Sequence, residues 1–299
     1  MLHGLILLIA SIIVFAGICY VVYVYDKDQV KNHGEIMCGS QDEDGWEEFM
    51  ENAILKLGKL APKAHAKTLD FARYALKTQL PIPPSKTAWE YKIADWKVFK
   101  NDQYGDCTCA GPAHEIMNRT VNSGSLVTPT DSEVLAMYSA ISGFDLVTGA
   151  NDNGAAITDA LNYLQTVGLS GHKISGWAKI VQANISSVKL AIYLFGSINV
   201  GVQLPNSAMR QFELGEPWDV EKNDGGIDGG HCIPIMGYGA DGCTCITWGK
   251  RQQMSWEWFL TYCDEAYAEI APDWFDGKGY AANHLNVAAL QADLKAIAA

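Results

Sequence analysis

Hydrophobic and polar positions alternate clearly in the last third of the chain. Residues 198–204 alternate with β-branched side chains and predict a strand. Residues 231–238 and 243–248 predict two further strands, joined as a hairpin across the glycine-rich turn 239–242. Ser255 predicts the cap of a helix over 256–263. By contrast, residues 186–195 suit a helix and a strand equally well.

Helical spacing dominates the middle of the chain. A stripe beginning at Cys107 predicts a helix that turns His114 toward the core, where we expect it to be hydrogen-bonded rather than catalytic. Residues 131–141 predict a second helix, capped by Asp or Ser, and 156–167 predict a third. Residues 286–297 predict a final amphipathic helix.

Residues 5–24 form a long apolar run without a charge, which predicts a membrane-spanning helix. A cleaved signal peptide is less favoured, because the run is too long and no Lys or Arg precedes it. We therefore expect a single-pass membrane protein with an anchor over 1–25 and a polar linker over 26–45. Lys27 and Lys31 are too few to fix the side of the membrane on which the rest of the chain lies.

Residues 46–77 show apolar stripes that predict two helices divided by Pro62. The simplest interpretation makes them the helical N-terminal part of one domain over 46–299. The alternative, an inhibitory prosegment, is less favoured.

Composition narrows the possible partners and cofactors. The formal net charge of −12 over 299 residues argues against nucleic acid as a partner, since nucleic-acid binding depends on Lys and Arg. The eight cysteines include two Cys-x-Cys pairs, Cys107/Cys109 and Cys243/Cys245. Neither pair predicts a disulfide framework, and their spacing does not match the usual zinc knuckles. We expect no metal or other cofactor.

Two separated segments carry the candidate chemistry. In the first, Asp106 or Thr108 can cap a helix that starts near Cys107, where the helix dipole stabilises a thiolate. In the second, His231 begins an apolar strand after a glycine-rich loop. A Cys at a helix start facing a His on a strand is the arrangement of a nucleophile and its general base.

These segments resemble papain-like cysteine peptidases, and among them a poorly characterised group in bacteria and phages. The resemblance rests on the following stretches: Asn101-Asp102, Gly105-Asp106-Cys107-Thr108, Gly229-Gly230-His231, Thr247-Trp248-Gly249-Lys250 and Tyr262-Cys263-Asp264-Glu265-Ala266-Tyr267. It implies an α+β fold in which a helical subdomain bearing the Cys packs on an antiparallel sheet bearing the His. The predicted transmembrane helix would precede this domain.

The resemblance also implies an amide side chain six positions before the nucleophile. Asn101 precedes Cys107 by six, and Gln103 precedes Cys109 by six, so both registers stay open. The Gly-Asp-Cys motif favours Cys107 with Asn101, whereas Pro112 fits better into a helix that starts at Cys109.

The third catalytic position departs from the pattern. Where relatives carry Asn or Asp about sixteen residues after the His, this chain has Thr247. A hydroxyl can accept a hydrogen bond from imidazole but does not stabilise imidazolium as a carboxylate does. Trp248 either shields the site from water or is a core residue.

The predicted function is a membrane-anchored papain-like cysteine hydrolase that cleaves a peptide. Two alternatives remain: a peptidase that cuts the stem peptides of peptidoglycan, and an inactive papain-like domain that serves as a binding module. The sequence specifies neither the substrate nor the oligomeric state.

Overall fold

The computed structural model describes residues 6–14, 17–25, 33–37, 55–63, 69–72 and 80–274. The chain divides into two compact units, Met1–Ala53 and Ile54–Ala299. Three strands form an antiparallel sheet in the first unit: β1 (Ile6–Val14), β2 (Gly17–Tyr25) and β3 (His33–Met37).

The described part of residues 5–24 thus differs from the predicted helix. Ile, Val and Tyr dominate this run, and their side chains suit strands, where backbone groups pair across neighbours rather than along one helix. None of the helices in the described ranges is long and apolar enough to cross a membrane. Apart from β3, the predicted linker 26–45 lies outside the described residues.

The second unit contains an eight-stranded sheet. Its strands are β4 (Leu69–Asp70), β5 (Thr87–Ala88), β6 (Gly176–Lys179), β7 (Ile198–Pro205), β8 (Ile227–Tyr238), β9 (Gly242–Thr247), β10 (Lys250–Ser255) and β11 (Cys263–Ile270). Their order is β10-β9-β8-β7-β11-β6-β4, and β5 pairs with β8. Only the β4–β6 pair is parallel among these pairings. The predicted strands β7, β8 and β9 are confirmed.

Six α-helices of the second unit lie in the described ranges: α1 (Cys107–Ser123), α2 (Asp131–Ser142), α3 (Ile157–Thr166), α4 (Ile185–Phe195), α5 (Asn206–Leu214) and α6 (Trp256–Tyr262). Short 3-10 turns cover Trp89–Lys92 and Pro272–Trp274. The ambiguous residues 186–195 are therefore helical, and Asn184 caps α4 by accepting a hydrogen bond from the Ser187 N–H.

Residues 55–63 are extended, so the helix predicted there is wrong. Their backbone groups bond to other segments instead of along a helix: Lys59 N donates to Gly230 O at 2.9 Å, and Leu60 N donates to Ala155 O at 2.9 Å. Residues 46–54, 64–68 and 73–79 of the predicted helical part lie outside the described residues, as does the helix predicted over 286–297.

The start of α1 is held close to β8. Because side chains alternate along a strand, Ile233 and Ile235 of β8 enter one core cluster, while Cys232 and Met236 enter the other, together with α1. Gly111 lies at this contact, where a Cβ would be in ordinary van der Waals contact, 3.5 Å from Cys232 Sγ. This packing brings the first turn of α1 beside the strand that carries His231.

Candidate active site

Cys107 is the first residue of α1. The carbonyl of Asp106 accepts hydrogen bonds from Cys109 N at 2.7 Å and Ala110 N at 3.0 Å, which fixes the helix start. The Asp106 side chain makes no capping hydrogen bond, so the predicted side-chain cap by Asp106 is wrong. Pro112 occupies the sixth helical position and α1 continues to Ser123, so this proline does not require a start at Cys109.

His231 is buried on β8 and hydrogen-bonded to Thr247. Its Nε2 lies 2.8 Å from Thr247 Oγ1 across the β8–β9 pair. Its ring stacks on Trp248 with centroids 4.4 Å apart and planes 12° from parallel. The Trp248 side chain is 4% exposed and covers one face of the imidazole.

A strained turn places Trp248 there. Trp248 and Gly249 form the two-residue turn between β9 and β10 and have φ angles of 44° and 73°. Two positive φ values give the tight hairpin, and they are uncommon for a bulky residue such as Trp. The structure thus holds a costly backbone conformation at the candidate site.

The Cys107 thiol is closed off from water, since the residue is 1% exposed. Burial raises its pKa to about 12, and the backbone groups of Cys232 and Gly58 oppose this shift. A hydrogen bond that lowers a thiol pKa comes from a donor, so these two N–H groups face the sulfur. Cys232 directly follows His231 in β8, so the thiol lies against the backbone one residue from His231.

Burial also lowers the pKa of His231 to about 3, so the imidazole is neutral at physiological pH. The low thiol pKa expected from the helix dipole is therefore wrong for this closed form, because loss of solvation outweighs the dipole. Burial raises the pKa of Cys109 well above its usual range too. Cys109, 0% exposed, is packed in the helical core, and no partner from β8 affects its pKa.

Asn101 and Gln103 differ in their surroundings. Asn101 is buried in the loop before α1, and its Nδ2 donates to Tyr104 O at 3.2 Å. Gln103 is exposed in the same loop. Asn101 and Cys107 are thus both buried, whereas Gln103 is exposed and Cys109 is buried.

An extended segment of the chain's own sequence crosses this site, and sequence reasoning missed it. Residues 55–63, the covering segment, contact Trp248, whose Nε1 donates to Lys56 O at 3.4 Å. Gly58 O accepts from Ala155 N at 2.8 Å, and the Gly58 N–H faces Cys107. Lys59, whose side chain is fully buried, forms an ion pair with the partly exposed Asp264 and another with the buried Glu265. The only sequence signal was the possibility of a prosegment.

His114 is a core residue, as predicted. Its ring nitrogen Nε2 lies 2.6 Å from Lys97 O, and the ring packs against Trp96 and Phe99. Burial lowers its pKa to about 4. These contacts account for His114 without a catalytic role.

The described ranges contain no group of three or more His, Cys, Asp or Glu side chains arranged to hold a metal ion. Six cysteines in the described ranges of the second unit are buried free thiols: Cys107, Cys109, Cys232, Cys243, Cys245 and Cys263.

Comparison with solved structures finds cysteine proteases. Xylellain, a cysteine protease from Xylella fastidiosa, matches with a TM-score of 0.56 and 15% identity over 72% of this chain and 95% of that chain. Digestive procathepsin L 3 from the larval midgut of Tenebrio molitor matches with a TM-score of 0.51 and 14% identity, covering 75% of this chain and 78% of that chain. No protein-family model and no curated protein sequence matches.

At these identities the likeness concerns the fold alone. The predicted relation to the bacterial and phage group stays a prediction. The mixed helices and antiparallel sheet predicted for the main domain are confirmed, and the chain has the papain-like cysteine protease fold.

Proposed function

We propose that the chain is a papain-like cysteine peptidase, held in a closed form by its own covering segment. The observation that supports this proposal is a buried Cys107 at a helix start, against the backbone of Cys232, next to His231, which a hydrogen bond to Thr247 orients. His231 Nε2 contacts Thr247, while Nδ1 has no hydrogen-bond partner in the part of the chain that the structure describes. That nitrogen is available as a base.

In the reaction, His231 Nδ1 takes the Cys107 proton and the thiolate attacks the peptide carbonyl carbon. The resulting oxyanion is stabilised by the first N–H groups of α1, which have no intrahelical partner, and by the Asn101 amide. His231 then returns the proton to the leaving amine as the C–N bond breaks. Water hydrolyses the thioester by the same route and regenerates the thiol.

Thr247 sets the strength of the base. Its hydroxyl orients the imidazole but adds no negative charge, so the imidazolium gains less stabilisation than from a carboxylate. The inactive binding module is the second candidate function because of this residue. Both candidates share the fold and differ in whether Cys107 performs a turnover.

The enzyme is inactive while the covering segment lies over the site. With the segment in place, burial keeps both Cys107 and His231 neutral. Departure of the segment admits water and substrate and restores the conditions under which a helix-start thiol ionises.

The test uses the full chain with Lys59→Ala, which removes the ion pairs that hold the segment. A thiol-reactive epoxide probe should label this chain, Cys107→Ala should abolish labelling, and Cys109→Ala should preserve it. His231→Ala should abolish hydrolysis of a mixed peptide library without changing the circular dichroism spectrum. If iodoacetamide reaches Cys107 but no peptide is cut, the binding-module function replaces the peptidase.

Two finer predictions accompany this proposal: attachment to a membrane, and peptidoglycan as the substrate. The uncharged apolar sequence of residues 5–24 supports attachment. Release of soluble muropeptides from purified sacculi by the Lys59→Ala chain would identify the cell wall as substrate.

A further inference from the structure

The Lys59 side chain fills a closed acidic pocket beside the nucleophile. Its side chain is 0% exposed, and Nζ lies 3.0 Å from Asp264 Oδ2 and 3.1 Å from Glu265 Oε1. Nζ also donates to Leu60 O at 3.3 Å. Burial favours the neutral amine, yet the two carboxylates outweigh it and raise the Lys59 pKa, so the side chain remains a cation.

Glycine forms the walls of this pocket. A Cβ at Gly201 would lie 2.4 Å from Lys59 Cε and 2.7 Å from Glu265 Cγ. A Cβ at Gly230 would lie 2.2 Å from Lys59 O. Gly201 therefore leaves the space for the long side chain, and Gly230 leaves the space for the backbone that carries it.

The carboxylates are fixed by the protein rather than by Lys59 alone. Tyr267 OH donates to Glu265 Oε2 at 2.8 Å, and Gln203 Nε2 donates to Asp264 Oδ2 at 2.6 Å. Asp264 Oδ1 is buried and has no hydrogen-bond partner among the described residues. A guanidinium has five donors where an ammonium has three, so arginine is able to satisfy this remaining acceptor as well.

We propose that this pocket selects the substrate, by binding an arginine or lysine side chain of the peptide that Cys107 cuts. The inference rests on the proposed peptidase function. Lys59 N donates to Gly230 O at 2.9 Å, and Gly230 directly precedes His231, so the backbone that carries this side chain lies beside the strand that bears the candidate base. A peptide that bonds to Gly230 O and Ala155 as the segment does would place a side chain in the same space. An apolar side chain there would leave the carboxylates unpaired, which is strongly unfavourable in a buried site.

The experiment uses the full Lys59→Ala chain, in which the natural occupant is gone. Matched peptide substrates differ at a single residue, scanned over the positions before the cut: arginine against citrulline, and lysine against norleucine. These pairs have nearly the same shape and differ in charge. We expect kcat/KM to favour arginine over citrulline by about a hundredfold at one position, in keeping with charged groups that would otherwise lose a partner.

Variants of the pocket residues test whether Asp264 and Glu265 cause the preference for arginine. Glu265→Gln and Asp264→Asn should each reduce the ratio of arginine to citrulline by about tenfold, and Gly201→Ala should lower kcat/KM for both long side chains. Glu257→Gln, an exposed carboxylate on α6, is the matched control and should leave the ratio unchanged. Circular dichroism identifies any variant that fails to fold.

A binding measurement separates this inference from the peptidase function. In the full Lys59→Ala, Cys107→Ala chain, calorimetric titration should show tighter binding of the arginine peptide than of its citrulline counterpart. Selective binding without any hydrolysis by the Cys107-containing chain would support the pocket and overturn the peptidase. Hydrolysis with equal or better use of citrulline or norleucine would overturn the pocket and leave the peptidase standing.

Discussion

Replacing Lys59 by alanine should open the site to a thiol reagent. Lys59 and Glu265 have side chains that are 0% and 1% exposed, so their pairing takes place away from water. Removing one partner of a buried ion pair costs about 3–5 kcal/mol, because the other charge is left buried. Opening of the segment would return Glu265 to water and relieve that cost. Lys59→Ala therefore destabilises the closed form relative to the open form.

Each 1.4 kcal/mol corresponds to about a tenfold change in an equilibrium constant. The ratio of open to closed chain should therefore rise by about a hundredfold to a few thousandfold in the Lys59→Ala protein. If alkylation is slow compared with closing, the rate at which iodoacetamide modifies Cys107 follows this ratio.

Mass spectrometry of the peptide that contains Cys107 measures the rate. Lys59→Arg keeps the charge and should stay within a few-fold of the parent. Lys63→Ala is the matched control on the same segment, because Lys63 pairs with Asp159 at the surface, where such pairs contribute about 0.2–1 kcal/mol. If Lys59→Ala and Lys63→Ala react at the same rate, the segment is a permanent part of the fold and the reasoning about the cover is refuted.

Four further predictions follow from the geometry. Thr247→Val removes a neutral hydrogen bond worth about 1 kcal/mol, so kcat of the Lys59→Ala chain should fall about fivefold; Thr247→Asn should restore it, and an unchanged kcat in the Val variant would exclude an orienting role. Asn101→Ala should slow turnover by about a hundredfold, the usual loss for one oxyanion donor, whereas Gln103→Ala should have little effect; the reverse result would move the register to Cys109. Burial lowers the pKa of His114 from 6.5 to about 4. Between these values only the unfolded chain binds the proton. As pH falls through this window, the free energy of unfolding should therefore fall by about 3 kcal/mol relative to His114→Gln. Urea unfolding at several pH values measures this, and a difference independent of pH would contradict it. Residues 5–24 should keep the full chain in the membrane fraction during carbonate extraction, and complete release would disprove the anchor.

The parts of the fold that depend on neighbouring residues were predictable. The β8–β9 hairpin was found because its apolar strands and glycine-rich turn are adjacent in the sequence. Ser255 was identified as a cap, and its Oγ accepts from Trp258 N at 3.1 Å. The cap of α2 was placed one position or more too late: Thr130 is the cap and forms a reciprocal pair with Glu133, because several polar residues compete at that helix start.

The covering segment was not predictable in the same way. Its apolar residues Leu55 and Leu57 fit an extended chain as well as a helix, and short runs do not distinguish the two. Lys59 and Asp264 are separated by 205 positions, so their pairing exists only in the folded protein. The pKa of the Cys107 thiol likewise depends on burial by the covering segment, which no local sequence motif predicts.

The close backbone contacts of Gly58, within the covering segment, have a practical consequence. A Cβ at Gly58 would lie 1.7 Å from the Gly105 carbonyl oxygen, and a Cβ at Gly154 would lie 1.9 Å from the Gly58 carbonyl oxygen. Only a peptide with glycine at this point can follow the same path. A synthetic peptide that copies residues 55–63 should therefore act as a reversible inhibitor without any reactive group, and its Gly58→Ala analogue should be inert. Selectivity against other thiol enzymes would then come from backbone shape rather than from reaction with the thiol.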